Sequence, residues 1–136
     1  MGVNRAEVRK LIVDLHAIPG DMRDELSDDI RDGAEIVLDE MHRRASWSTR
    51  IPGATTMRAS GIGADISTST VAAPHAPLYE GLAGDPFRHP VFGNRENWVS
   101  QAARPFFYGA VGDKAADVEE RVGRGIDRVI RRHGFH

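Results

Sequence analysis

The chain has no cysteine, which excludes disulfides, thiolate metal cages and a cysteine nucleophile. It also lacks any apolar run approaching the roughly 18 residues that a membrane-spanning helix needs. The opening residues, MGVNRAEVRK, lack the apolar core of a secretory signal, so synthesis in the cytoplasm is expected. A net charge of only -2 argues against an overall electrostatic pull toward nucleic acid or membrane. Catalytic signatures are missing too. There is no Gly-x-Ser-x-Gly elbow, and the GIG of residues 61–63 has neither a third glycine nor a following Lys-Ser/Thr pair, so no nucleotide loop is supported. Six histidines are present, but none forms an i, i+4 helical zinc pair. His75 and His89, each beside a proline, are read as structural histidines, and a metal shared between them as the lesser alternative. No cofactor, metal or catalytic residue is expected.

At 136 residues the chain fits one domain, taken as 1–136, with 40% apolar and 28% charged residues in the ordinary globular range. Val8, Leu11, Ile12 and Leu15 recur at i, i+3, i+4 and i+7 and predict an amphipathic helix over residues 3–17, ended by Pro19-Gly20. A second helix is predicted from Asp21, as N-cap, to about residue 45, with Met22, Leu26, Ile30, Ala34, Val37 and Met41 as its core stripe. Gly33 within it costs about 1 kcal/mol relative to alanine and suggests a local bend.

Residues 51–112 hold six of the seven prolines and eight of the fourteen glycines, which argues against helix there. Strands are predicted over 55–60 and 62–70, with Ser60-Gly61 at the turn and Ile62, Ala64, Ile66 and Thr68 on one face. Extended pieces are expected at 76–79, 91–92 and 98–100. A last helix over about 113–133 carries Ala115, Val118, Val122, Ile126 and Val129 on one face, with Gly134 as its stop. The fold class that follows is α+β: a small, mainly antiparallel sheet packed by two N-terminal helices and a long C-terminal helix.

Charge is unevenly distributed. Residues 21–40 hold nine acids against two arginines, and residues 121–132 hold five arginines against Asp127 alone. Such stretches are ordinarily solvated helix faces. The functional alternative is complementarity between neighbouring copies, in which opposite patches steer assembly and set register. The continuous helical spacing of Asp24, Glu25, Asp28, Asp29 and Asp32 favours an exposed face over a cation site.

Residues 87–107 pack four of the five phenylalanines and one of the two tryptophans between prolines, a texture of docking surfaces more than of reaction centres. The ordered elements Ala45-Ser46-Trp47, Arg50-Ile51-Pro52, residues 74–81, His89-Pro90-Val91-Phe92-Gly93, Trp98-Val99 and Arg104-Pro105-Phe106-Phe107 resemble the phage neck and tail-component family of the HK-ninety-seven gene-product-ten type. With the flanking helices the resemblance covers nearly the whole chain.

What the resemblance implies is a noncatalytic virion protein at the head-to-tail junction of a long-tailed phage or prophage. It would be made in the bacterial cytoplasm and would form a six-fold ring through which DNA passes. Partners would be further copies and the neighbouring connector, tail-terminator or tail-tube proteins, with DNA in the lumen and no membrane. Candidate interface residues are Trp47, Tyr79, Phe87, Phe92, Trp98, Arg104, Phe106 and Phe107. Two other classes stay open on the residues alone. One is a small intracellular enzyme pairing His89 or His75 with Glu80; the other is a nucleic-acid-binding module using the C-terminal arginine-rich helix.

Overall fold

The computed structural model describes residues 20–60, 63–91 and 94–133. The helix expected over 3–17 lies outside these residues. The described elements run α1 (Gly20–Arg44), α2 (Ile51–Ala54), β1 (Thr55–Ser60), β2 (Gly63–Thr68), α3 (Ala76–Glu80), β3 (Phe87–Val91), β4 (Asn94–Gln101) and α4 (Tyr108–Arg132). Helices and small antiparallel sheets, with the long C-terminal helix against the first described one, make the fold α+β.

The pairing of α1 with α4 is the largest contact between elements, and its composition follows from helical periodicity. Leu26, Ile30, Val37 and Met41 of α1 are buried, as are Ala110, Val111, Ala115, Val118, Val122 and Val129 of α4. Ile126, expected on the same stripe, is partly buried against this core. Midway along α1 the buried position is Gly33, and Ala34 is only half-buried. A β-carbon on Gly33 would sit 3.3 Å from methyl groups of both Val118 and Val122. The glycine read from sequence as a bend is thus where two valines of the facing helix approach the α1 backbone.

On α4 the reciprocal position is Gly125, where a β-carbon would lie 2.5 Å from the Asp29 carboxyl. The two glycines let the helices come together at the middle of their contact. Around them, burying a Leu or Val side chain contributes about 1.5–3 kcal/mol each.

The second packing partner of α1 is the β1–β2 hairpin, which is antiparallel from Thr55↔Thr68 to Ser60↔Gly63. Alternation sets its faces: Ala64, Ile66 and Thr68 are half-buried, whereas Asp65 and Ser67 are exposed. Thr55, 1% exposed, closes the base of the hairpin. Its hydroxyl donates to the Ile51 carbonyl at 2.8 Å and so accepts from the Thr68 hydroxyl, also at 2.8 Å. His42 of α1 donates from Nε2 to the Thr55 carbonyl at 2.8 Å and ties helix to strand.

Several boundaries differ from expectation. Asp21 lies inside α1, which already includes Gly20, and so is not its N-cap. Two short helices occur where proline had argued against any. In α2 and α3 the prolines Pro52 and Pro77 occupy the first turn, where a missing N–H costs nothing and the fixed φ favours helix. Residues 76–79, expected to be extended, are therefore helical. The strand expected over 62–70 is β2, which ends two residues earlier, at Thr68; residue 62 lies outside the described residues.

The described strands also do not form one sheet. They make two separate two-stranded hairpins, β1–β2 and β3–β4, with α3 between them in the chain. Finally, α4 begins at Tyr108, five residues before the expected start, although Gly109 and Gly112 stand in its first turns.

Candidate protein-protein interface

The early start of α4 has a local cause. The helix opens at Phe107 with no capping side chain of its own. The Glu80 carboxylate, at the end of α3, accepts hydrogen bonds from the amides of Phe106 (2.9 Å), Phe107 (2.9 Å) and Tyr108 (3.1 Å). These include amides left without helical partners, and a negative charge there also suits the helix dipole. Glu80 is therefore engaged as a long-range cap. Among the described residues no group of three His, Asp or Glu is arranged to hold a metal ion.

Around this cap the aromatic residues singled out from sequence fall into two sets. In the first, Trp47 follows the end of α1 and its ring stands 4.6 Å from Tyr79 on α3. Tyr79 meets Phe87 of β3 edge-on at 5.2 Å, and Phe87 lies 5.9 Å from the His89 ring. The Arg104 guanidinium lies over the Trp47 ring, 4.4 Å from its centroid, a favourable cation–π geometry. The amide of Arg104 donates to the Tyr79 carbonyl at 2.8 Å, which fixes the segment after β4 against α3. Nearby, Asp85 accepts from the Ala103 amide at 2.9 Å. Trp47 and Tyr79 are half-buried against the core, and the Trp47 indole N–H is buried without a hydrogen-bond acceptor among the described residues.

The second set is Phe106, Phe107 and Tyr108, successive rings in edge-to-face contact at 6.2 and 5.1 Å. Phe106 and Phe107 belong to the core, with 2% and 8% of their surface exposed, and Phe87 is equally buried at 4%. These three were expected at an interface between molecules. Their surfaces are instead buried within this one.

Trp98 is different. It stands on β4 with half of its surface exposed, beside the exposed Val99. Neighbouring strand residues point to opposite faces, so the β3–β4 hairpin offers an apolar side chain on each. The hairpin makes only slight contact with other described elements. Arg104 is exposed as a residue while its guanidinium stacks on Trp47. Phe92 lies outside the described residues.

A second apolar feature adjoins the cap. Thr68, Thr70, Pro77, Leu82, Phe107 and Tyr108 line an open cleft of about 230 Å³, with Glu80 in its wall. Leu82 and Tyr108 remain largely exposed at its rim.

The oppositely charged stretches meet within the chain. Arg121 donates to Asp29 and, at 2.6 Å, to Asp32, while Arg128 also donates to Asp29. One turn of α1 earlier, Glu25 accepts from His133 at 3.0 Å and has Arg132 at 3.6 Å. At the other end of α1, Arg43 and Arg44 both donate to Glu40, and Arg44 continues to Asp113 of α4. Asp29 is 1% exposed. Burial alone would raise its pKa, but hydrogen bonds from Arg128 and Arg121, with their charges, outweigh it and hold the carboxyl below its ordinary value. Hydrogen bonds from Arg43 and Arg44 lower Glu40 to about 2.

The patches proposed to join separate molecules partly pair with each other across the α1–α4 contact, through Glu25, Asp29 and Asp32 on one side and Arg121, Arg128 and Arg132 on the other. What remains outward on α1 is Asp24, Asp28, Glu35 and Asp39, with Arg31 among them. No local pattern in the sequence announces the Glu80 cap, which acts across 26 residues. The ion pairs had a usable signal, since Glu25, Asp29 and Asp32 share one helical face, as do Arg121, Arg128 and Arg132.

No helix among the described residues is long and apolar enough to cross a membrane. Comparisons with protein-family models, with curated proteins and with solved structures found no match to this chain.

Proposed function

We propose that this chain is a noncatalytic structural component of a long-tailed phage or prophage virion. It acts at the head-to-tail junction, in a ring through which DNA passes and which contacts connector, tail-terminator or tail-tube proteins. The observation that carries this reading is the convergence of the resembling segments. Trp47, Tyr79 and Arg104 come from three of them, separated by dozens of residues, and form one stacked unit. A shared order of short motifs has physical meaning when those motifs hold one another in place.

Two further observations favour assembly over the alternatives. Glu80 accepts from three backbone amides, so helix capping accounts for this carboxylate without an acid-base role. Arg121, Arg128 and Arg132 face carboxylates of α1, which reduces the basic surface available to nucleic acid.

A closed ring needs two different patches per subunit that meet head to tail. The exposed residues of the β3–β4 hairpin and the apolar cleft beside α4 are the patches this reading assigns. Trp98→Ala tests it. With half its surface already in water, the substitution should change unfolding free energy by about 1 kcal/mol or less, while joining of heads to tails in reconstituted particles falls markedly. A loss of folding that accounts for the whole loss of joining would make Trp98 a plain structural residue.

A further inference from the structure

We draw no further inference here: the strongest candidate, the β3–β4 hairpin with Trp98 and Val99 exposed on its two faces, belongs to the surface already described, and nothing in the structure shows what covers it.

Discussion

Gly125 and Gly123 stand two residues apart on the same helix and should respond to the same substitution with opposite signs. A β-carbon at 123 meets nothing within 4 Å, so Gly123→Ala should stabilise the fold by up to about 1 kcal/mol through helix propensity alone. At 125 the same methyl would collide with Asp29, a buried carboxylate held by two arginines, at 2.5 Å. Gly125→Ala should therefore destabilise by about 1–3 kcal/mol, the cost of displacing a charge-assisted hydrogen-bond pair. Urea denaturation of the two variants reads this directly, and equal responses would mean that the helices do not cross as described. The role of Gly125 was not legible in sequence, because a contact glycine and a tolerated surface glycine look alike until the facing helix is known. The aromatic residues show the same limit. Phe87, Phe106 and Phe107 stood out by size and composition but were expected at an interface, because an irregular segment has no period from which to read which side of a residue is buried.

For whole elements, periodic segments were read well and punctuated ones poorly. The stripes of α1 and α4 follow a 3.6-residue period over 25 residues each, and β1 alternates within a short β-branched run, so their existence and much of their extent could be read directly. Prolines misled at α2 and α3, since a proline that breaks a helix interior also favours a helix start. The start of α4 could not be read at all, because its cap comes from another element. Replacing that cap gives an element-scale test. Glu80→Ala removes three hydrogen bonds to a charged acceptor and should cost about 1.5–3 kcal/mol. It should also speed amide hydrogen exchange in the first turn of α4 more than at its centre. A uniform change along the helix would indicate that Glu80 acts through packing and not through capping. Glu80→Gln, which keeps the acceptor oxygen without the charge, should lie between the two.

Taken as one molecule, the chain uses much of its charge internally, and this sets its behaviour in acid. Both Asp29 and Glu40 have folded-state pKa values below their ordinary ones, so each favours the folded state when ionised. Their contribution is complete above the unfolded values near 4 and is lost as pH falls toward 2, where Glu40 itself takes up a proton. Stability against urea should thus be flat from about pH 7 to 5 and drop steeply below about pH 4.5. Asp29→Asn should be less stable at neutral pH and show a shallower acid decline; an unchanged acid profile would mean that Asp29 is not held by Arg121 and Arg128. Because these pairs lie along the α1–α4 contact, they help hold the scaffold that presents the β3–β4 hairpin and the cleft.

The proposal that the chain joins heads to tails is tested most directly by removing its gene from the genome that carries it and viewing any particles induced from that genome by electron microscopy. The account predicts filled heads and finished tails lying separate, with joining restored when the intact protein is supplied in trans. Normally joined particles in its absence would contradict it.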